Sequence, residues 1–381
     1  MTGVQVIGAA QTPFGKHLDK SLVDLAAEAA FLALQDAGFG PDRIGMGYFA
    51  SASAGFLLGD VTIGQNVFWE VGINRIPIIN IENACTSGST ALYLACQAVA
   101  SGQIEAALVV GAEKMFVKTM GLINSGANEP DTLLGMVTPA GFAMRAMRHA
   151  QEFGTTREQL AGVAVKNRRH AALNPNAMFR DPVSLEQVLA GPMIVDPLTK
   201  LQCCPNADGA AAVVVAAGGA SLGDGRAVDI AGAVYCTGSY ENPPDLVHWE
   251  TDYRTCRLAY EQAGLGPKDL SLVECHDAFT IAEILHYEAL GLCEPGAGGR
   301  MVEQGRTMLG GDIPVNVSGG LLSRGHPLAA TGLAQVYELV AHLRGEAGRR
   351  QVQGARVGLA HCMGGDKAAD AKSCTAFILK K

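Results

Sequence analysis

A twelve-residue pattern occurs twice in the sequence, and its two copies begin 226 positions apart, at residues 33 and 259. The first copy is Ala-Leu-Gln-Asp-Ala-Gly-Phe-Gly-Pro-Asp-Arg-Ile, and the second is Ala-Tyr-Glu-Gln-Ala-Gly-Leu-Gly-Pro-Lys-Asp-Leu. Each copy predicts a helix that ends at a glycine, a Gly-Pro turn and then an apolar strand. Such connections also arise independently, but this long offset favours a duplicated α/β unit over a solenoid of short repeats.

Short apolar segments alternate with helical patterns along much of the chain. Residues 4–9, 78–81 and 107–110 read as buried strands, and residues 21–38 read as an amphipathic helix with Ser21 as its N-cap. The chain has 381 residues, 48% of them hydrophobic, so it can bury a large core. The sequence therefore predicts an α/β fold with a mixed or mostly parallel sheet.

The segment from about residue 115 to residue 201 interrupts this alternation with Gly, Asn and Pro turns. We expect an N-terminal half at residues 1–220 that contains this segment as an inserted loop domain, and a C-terminal half at residues 221–381. Between residues 145 and 180 the segment carries seven Lys and Arg residues against two Glu residues. That charge suits a polyanionic ligand, although a solvated helix explains any one of these side chains equally well.

Composition excludes several classes of function. The net charge of −8 argues against nonspecific binding to nucleic acid, which needs a basic surface. There is no apolar run of about 18 residues and no signal-peptide pattern, so we expect a cytoplasmic protein without a membrane span. The ten cysteines include no Cys-x-x-Cys pair, so we expect neither a disulfide scaffold nor a metal site. Common nucleotide-binding and zinc-hydrolase motifs are also missing.

Cys85 is the first candidate for chemistry. It lies between the predicted strand at residues 78–81 and a helical run that extends to Ala100. The positive end of a helix dipole at this junction is expected to lower the pKa of the thiol and favour the thiolate. A buried cysteine packed beneath a helix start is the structural alternative.

Three further reactive residues follow predicted strands. His326 lies in a Gly-His-Pro step, His276 in Cys-His-Asp-Ala-Phe, and Cys362 in His-Cys-Met-Gly-Gly. An imidazole fixed in this way can take the proton of a thiol or donate to an oxyanion. Each residue alone can be a satisfied core group, but α/β folds gather their sites at strand ends. Together with Cys85 they predict one active site.

These segments resemble the four catalytic motifs of thiolases, in the same order and over essentially the whole chain. The motifs are Asn-Ala-Cys-Thr-Ser-Gly at 83–88, His-Asp-Ala-Phe at 276–279, Gly-His-Pro at 325–327 and Cys-Met-Gly at 362–364. The resemblance is strongest to the sterol-carrier-protein type of thiolase and its bacterial and archaeal acetyl-CoA acetyltransferase-like relatives. Those proteins have His-Asp-x-Phe where other thiolases have Asn-Glu-x-Phe.

The resemblance implies a five-layered αβαβα fold of two similar halves, with a loop domain inserted in the first. It implies that Cys85 carries the acyl group, that His326 takes its proton and then holds an oxyanion, and that Cys362 moves the proton at the substrate α-carbon. His276 would position a water or donate to the oxyanion, and the amides of Cys85 and Gly364 would form a second oxyanion pocket. Coenzyme A would be a substrate, bound by Lys166, Arg168, Arg169, Ser318 and Gly319.

One departure from the subgroup concerns the second cysteine. Several sterol-carrier-type members have it within His-Asp-Cys-Phe, where this chain has Ala278. Here Cys362 occupies the last motif instead, so we expect Cys362 to be the acid/base. Cys275 is the weaker alternative.

The predicted function is CoA-dependent cleavage of a 3-oxoacyl-CoA, or the reverse Claisen condensation. A bulky or aromatic substrate such as benzoylsuccinyl-CoA fits the subgroup. The alternatives are an acetoacetyl-CoA-forming acetyl-CoA acetyltransferase, a non-catalytic protein that binds acyl-CoA or steroid-CoA, and retro-aldol cleavage, whose enzymes tend to lack the nucleophilic cysteine. The resemblance also implies a homodimer and a small partner subunit with a zinc ribbon and an OB-fold.

Overall fold

The computed structural model describes residues 3–117, 126, 128–219, 225–239, 245–367 and 369–381. The strands within these residues are β1 (Val4–Gln11), β2 (Met46–Ala50), β3 (Ile78–Ile81), β4 (Ala106–Glu113), β5 (Met193–Val195), β6 (Leu198–Thr199), β7 (Gly209–Ala217), β8 (Val228–Thr237), β9 (Leu272–Glu274), β10 (Val357–Lys367) and β11 (Asp370–Lys380). The α-helices are α1 (Leu22–Ala37), α2 (Ala54–Leu58), α3 (Ile63–Glu70), α4 (Ser87–Ala100), α5 (Pro130–Leu133), α6 (Thr138–Phe153), α7 (Arg157–Ala171), α8 (Leu185–Leu189), α9 (Glu250–Ala263), α10 (Thr280–Ala289), α11 (Gly298–Glu303), α12 (Gly320–Arg324) and α13 (Leu328–Arg344).

The main sheet consists of two similar sets of strands. Its order is β3-β2-β4-β7-β1-β8-β11-β10-β9, and β1 joins β8 through only two residue pairs. In the first set β3, β2 and β4 are parallel, while β7 and β1 are antiparallel to their neighbours. The second set repeats these directions from β9 to β8, and a parallel bridge between Val273 and Val315 occupies the place of the β2–β3 pair.

The repeated sequence pattern forms the same backbone turn in both sets. Gly38 after α1 and Gly264 after α9 are left-handed, with φ of 62° and 64°, a conformation that glycine adopts without a steric penalty. A short 3₁₀ turn then leads into β2 in the first copy and β9 in the second. The duplication predicted from the sequence is therefore confirmed.

Helices separate and cover the two sets of strands. α4 and α13 pack against each other and between the sets, whereas α1 lies against the outer face of the first set and α9 against that of the second. Glycines allow the close approach of the two central helices, since a Cβ on Gly88 would lie 2.1 Å from the carbonyl oxygen of Ala329. The fold is the predicted five-layered αβαβα arrangement.

The segment between β4 and β7 packs mainly on the second half. It contains α5–α8 and the β5–β6 hairpin, and α7 contacts α10, α11 and α12. Residues 118–125 and 127 of this predicted loop domain, and the predicted boundary at residues 220 and 221, lie outside the described residues. The exact domain boundaries therefore stay a prediction.

Within the described ranges, no helix combines the length and apolar character that a bilayer crossing requires.

Candidate active site

The four reactive residues predicted from the sequence meet between the two central helices and the ends of the strands. Nε2 of His326 lies 3.3 Å from Sγ of Cys85, and Sγ of Cys362 donates to the carbonyl oxygen of Cys85 at 3.3 Å. The ring of His276 lies edge-on to that of His326, with centroids 5.2 Å apart. The sequence positions of these residues span 277 places, yet the fold brings them into one cluster.

Cys85 lies in a tight turn between β3 and α4. The preceding residue, Ala84, has a φ of 47°, a left-handed conformation that is costly for a residue with a Cβ. The hydroxyl of Thr86 bonds that of Ser373 at 2.6 Å, which ties the turn to β11. A Cβ on Gly364 would lie 3.0 Å from the amide nitrogen of Thr86, so glycine allows β10 to approach the turn closely. Strain at Ala84 and this close approach hold Cys85 at the start of α4.

The hydrogen bonds around His326 assign its tautomer. The hydroxyl of Thr331 donates to the carbonyl oxygen of Pro327 at 3.0 Å, so it must accept from Nδ1 of His326, 2.8 Å away. With its proton on Nδ1, the neutral imidazole presents an unprotonated Nε2 to Cys85. His326 is therefore oriented to accept the proton of the thiol.

The expected thiolate at Cys85 is wrong for the resting site. Burial raises the pKa of the Cys85 thiol to about 12, and the nearby Glu113 carboxyl adds to the effect. Burial also lowers the pKa of His326 to about 3, with a further contribution from the Arg324 cation. Both shifts favour the uncharged forms, so the resting pair is a thiol and a neutral imidazole.

Cys362 and His276 complete the cluster. Burial raises the pKa of Cys362 well above its usual range, so this thiol keeps its proton at neutral pH. Burial lowers the pKa of His276, and its buried Nε2 has no hydrogen-bond partner among the described residues. A buried ring nitrogen without a partner is available to a ligand. Cys275, the weaker candidate for the acid/base, is instead buried beside Asn316, whose amide lies 3.5 Å from Sγ.

The structure contradicts part of the predicted CoA-binding set. Lys166 is buried, where its ammonium forms an ion pair with Glu283 and donates to the carbonyl oxygen of Val315 at 2.8 Å. The hydroxyl of buried Ser318 donates to Glu274 at 2.6 Å.

Gly319 has a φ of 100° and packs against Ala171, since a Cβ on Gly319 would lie 2.6 Å from the Ala171 Cβ. These contacts bind the second half to α7 and leave neither Lys166 nor Ser318 a free polar group. Arg169 is exposed, and the guanidinium of half-buried Arg168 lies 4.5 Å from the ring centroid of Phe179. Arg168 and Arg169 therefore stay predicted CoA-binding residues.

Glu113 is a buried residue of the site that the sequence did not single out. Its carboxylate accepts from the amide of Ala52 at 2.5 Å, from the amide of Ala329 at 3.2 Å and from the hydroxyls of Ser51 and Ser53. It thereby holds the first turn of α13, three residues after His326. An acidic residue at the end of an apolar strand was the available signal.

Two groups of side chains in the described part of the chain bring three metal-ligand atoms within 4.8 Å of one another. One consists of Cys85, His276 and His326, and the other of Asp252, His286 and His361. In the first the contact between thiol and imidazole is a hydrogen bond, and in the second Asp252 pairs with both histidines.

Family comparisons agree with the motifs. The model of the thiolase N-terminal domain matches residues 4–219, and that of the thiolase C-terminal domain-like family matches residues 232–376. Acetyl-CoA acetyltransferase of Methanothermobacter thermautotrophicus is 41% identical over 96% of this chain and 97% of that protein. Benzoylsuccinyl-CoA thiolase subunit BbsB of Thauera aromatica is 37% identical over 95% and 94%. Human sterol carrier protein 2 is 39% identical over 95% and 70%.

Solved structures share the fold. The Ltp2-ChsH2(DUF35) aldolase is 27% identical with a TM-score of 0.83, over 99% of this chain and 97% of that chain. Human mitochondrial 3-ketoacyl-CoA thiolase is 20% identical with a TM-score of 0.74, over 100% and 98%. The two family models together span nearly the whole chain, and the relatives match it almost from end to end. The chain therefore belongs to the thiolase family of acyltransferases.

Proposed function

We propose that this acyltransferase cleaves a 3-oxoacyl-CoA with coenzyme A, or runs the reverse Claisen condensation, through an acyl group on Cys85. The observation that carries the proposal is the 3.3 Å contact between Sγ of Cys85 and Nε2 of His326, whose tautomer is set by Thr331. A neutral thiol beside a proton acceptor becomes a nucleophile as the new bond forms. Coenzyme A is a substrate in this scheme, and no step needs a metal.

The whole reaction takes four proton transfers, two in the cleavage of the C2–C3 bond and two in the release of the acyl group. Sγ of Cys85 attacks the C3 carbonyl while Nε2 of His326 takes the thiol proton. The C2–C3 bond then breaks, its electron pair passes to C2, and the thiol proton of Cys362 moves to C2 to release the shorter acyl-CoA. A coenzyme A thiol then gives its proton to Cys362, and its sulfur attacks the carbonyl carbon of the acyl group on Cys85. The new thioester forms, the sulfur of Cys85 leaves, and this sulfur takes back the proton held by His326.

Oxyanion stabilisation is assigned to two pockets. Nε2 of His276 and the imidazolium of His326 face the oxygen of the enolate that forms when the C2–C3 bond breaks. The amides of Cys85 and Gly364 are proposed to bind the oxygen of the tetrahedral intermediate at C3. Donors placed before the reaction stabilise such charge because they need no reorganisation. The approach of Gly364 to the Cys85 turn supports the second assignment.

Two substrate classes have support. BbsB, at 37% identity, favours a bulky or aromatic thioester such as benzoylsuccinyl-CoA. The acetyl-CoA acetyltransferase, at 41% identity, favours acetyl-CoA and acetoacetyl-CoA. We propose the first as the main candidate and the second as the alternative.

Two other functions have weaker support. A non-catalytic role in binding acyl-CoA or steroid-CoA leaves the convergence of Cys85, His276, His326 and Cys362 unexplained. Retro-aldol cleavage is favoured by the similarity to the Ltp2-ChsH2(DUF35) aldolase. The hydrogen-bonded nucleophile at Cys85 argues for acyl transfer instead.

We also propose two protein partners. A homodimer is supported by β3, the edge strand with which the sheet order begins, whose Ile79 is 40% exposed, because an uncovered strand edge invites pairing. A small zinc-ribbon/OB-fold subunit is supported by the solved Ltp2-ChsH2(DUF35) complex. Light scattering of the purified chain tests the dimer, and co-purification with untagged host proteins tests the subunit.

The test is thiolysis of acetoacetyl-CoA and benzoylsuccinyl-CoA by coenzyme A, with and without the small subunit. We expect Cys85→Ala to abolish turnover of every substrate that the wild type cleaves, and iodoacetamide to label Cys85 first. Full activity of the Cys85→Ala variant would contradict the proposed acyl-enzyme. Turnover of acetoacetyl-CoA alone would replace the main substrate by the alternative.

A further inference from the structure

A second cluster of ionisable side chains lies directly behind the proposed catalytic residues. Asp252 from α9, His286 from α10 and His361 from β10 are all at most 1% exposed. One carboxylate oxygen of Asp252 lies 2.6 Å from Nδ1 of His286, and the other lies 2.9 Å from Nε2 of His361. The proposed function uses none of these three residues.

His286 connects the cluster to His276. Its Nε2 lies 3.1 Å from the carbonyl oxygen of His276, and a carbonyl oxygen can only accept. Nε2 of His286 must therefore carry a proton, whichever partner holds the proton between Nδ1 and Asp252. The carboxylate thus fixes a ring that in turn holds the peptide of His276.

His361 connects the cluster to Cys362, the next residue in β10. Successive side chains of a strand point to opposite faces, so His361 faces Asp252 while Cys362 faces Cys85. Among the described residues Nδ1 of His361 has no partner, whereas Nε2 lies 2.9 Å from the Asp252 carboxylate and 3.3 Å from Sγ of Cys374, so the ring is held through Nε2. Asp252 thus fixes the strand position from which Cys362 reaches the nucleophile.

Packing alone does not require this cluster. Apolar side chains of similar volume serve a core as well as, or better than, buried charged groups. The surroundings are suited to hold the rings in place, since Trp249 stacks on His286 with centroids 5.3 Å apart and Cys256 donates to Asp252 at 3.4 Å. A carboxylate between two histidines is instead suited to setting the positions of two separate segments.

We propose that Asp252 is a positioning residue, which orients His276 through His286 and Cys362 through His361. The inference rests on the proposed roles of His276 and Cys362 in proton transfer and oxyanion binding. The inference predicts that substitution of Asp252 affects one part of the reaction and not the other. Reactivity of Cys85, which depends on His326, is independent of Asp252, whereas chemistry at the substrate α-carbon depends on it.

The experiment compares Asp252→Ala with Asp252→Asn in the full-length protein. One assay measures alkylation of Cys85 by iodoacetamide, and the other measures exchange of the methyl protons of acetyl-CoA with D2O by NMR. In Asp252→Ala we expect exchange to fall on the order of 10- to 100-fold, the range seen when a group that orients a functional histidine is lost. The rate of Cys85 alkylation should stay within about twofold of the wild type, since the substitution does not change the pair of Cys85 and His326.

Asp252→Asn is the conservative control. Its amide can donate to Nδ1 of His286 and its oxygen can accept from Nε2 of His361, so both imidazoles keep their positions as neutral rings. We expect this variant to retain exchange within about threefold of the wild type. Equal losses of proton exchange in Asp252→Asn and Asp252→Ala would overturn the positioning role and indicate that the negative charge of Asp252 itself is needed.

A second pair of variants keeps the proposal testable should Asp252→Ala not fold. His286→Gln retains an N–H for the carbonyl of His276, whereas His286→Phe retains only the stacking on Trp249. We expect the exchange rate of the Phe variant to fall at least tenfold further than that of the Gln variant. Equal exchange in the two, or a parallel fall in alkylation, would overturn the proposal.

A crystal structure of His286→Phe or Asp252→Ala gives a readout that does not involve activity. We expect displacement of the His276 peptide in either variant, and loss of the 3.3 Å contact from Cys362 to Cys85 in Asp252→Ala. Unchanged positions would overturn the inference. Failure of the proposed function is recognised separately, as thiolysis that persists in Cys85→Ala.

Discussion

The two halves of the molecule make the same contact at corresponding positions, but only one of the two contacts joins residues that we propose to be catalytic. The repeat offset makes Tyr48 in the first half equivalent to Glu274 in the second. Tyr48 pairs with Val109 and Glu274 pairs with Ala360, so Val109 is equivalent to Ala360. Two residues further along each strand, Gly111 is therefore equivalent to Cys362. Cys362 donates to the carbonyl of Cys85, at the start of α4. Gly111 instead lies against the carbonyl of Ala329, at the start of α13, where a Cβ would be 2.4 Å from the oxygen.

This difference explains how a duplicated scaffold supports an asymmetric reaction. In the first half a glycine lets α13 settle deeply, and Glu113 holds the first turn of that helix in place beside His326. In the second half the same site carries a thiol, and the helix opposite carries the nucleophile. The first contact supports the packing of α13, and the second is proposed to take part in the reaction.

The largest expected effect is that of Cys362→Ala on the reactive contact. We expect kcat for thiolysis to fall by about a thousandfold, because the proton at the α-carbon loses its donor and acceptor. The free energy of unfolding, measured in urea, should change by no more than ~1 kcal/mol, since only a sulfur atom is removed. Activity within tenfold of the wild type would assign the acid/base to another residue.

Gly111→Ala tests the supporting contact. The added methyl group meets the backbone of Ala329, which cannot rotate away, so we expect a loss of about 1–3 kcal/mol in the free energy of unfolding. Gly141→Ala is the matched control, because this helical glycine has open space around its Cβ position and should gain up to ~1 kcal/mol. The midpoints of urea unfolding measure the stability of both variants. Equal stability of Gly111→Ala and Gly141→Ala would show that the contact of Gly111 with Ala329 does not require a glycine.

Thr331→Val tests the hydrogen bond that orients His326, the proposed base. Without the hydroxyl, Nδ1 of His326 loses its acceptor, and the tautomer that presents a free Nε2 is no longer favoured. We expect kcat to fall about tenfold to a hundredfold, which corresponds to ~1.4–2.8 kcal/mol. Thr331→Ser restores the hydroxyl and should restore most of the activity. A valine variant as active as the wild type would show that the tautomer is fixed in another way.

The last expected effect is a pH dependence of stability that centres on the same base. The lowered pKa of His326, about 3, means that the unfolded chain binds a proton below about pH 6.5 while the folded chain does not. Stability therefore decreases as the pH falls from 6.5 towards 3, by at most ~1.4 kcal/mol per pH unit for this group.

Urea unfolding between pH 7 and pH 5 measures the slope. His326→Gln should reduce the slope without abolishing it, because burial also lowers the pKa of His170 and His276. Identical slopes in the wild type and His326→Gln would argue against a neutral, buried imidazole.

The sequence predicted the fold and the meeting of the four candidate residues because both follow from local patterns. Gly38 and Gly264 mark the repeated turn, and the four motifs lie where strands of an α/β fold end. The burial of Lys166 was not predictable, since the spacing of charges in α7 does not tell which face packs on α10. The pairing of Asp252 with His286 and His361 was equally hidden, because it joins three distant segments only after folding.

The protonation of Cys85 was predicted wrongly for a related reason. The sequence shows that the residue precedes a helix, which alone would favour the thiolate. It does not show the burial that raises the pKa of the thiol to about 12, an effect to which the Glu113 carboxyl adds. Local signals place the group, whereas its ionisation depends on what packs above it.

The tight approach of α4 and α13 also bears on the order of folding. Gly88 in one helix and Gly332 in the other pack against the first turn of the partner helix, so both helices must be formed before they can dock. Until that docking, Cys85 has neither its base nor its acid nearby. The recovery of thiolysis during refolding would therefore time the meeting of the two halves, and activity would serve as a reporter of assembly.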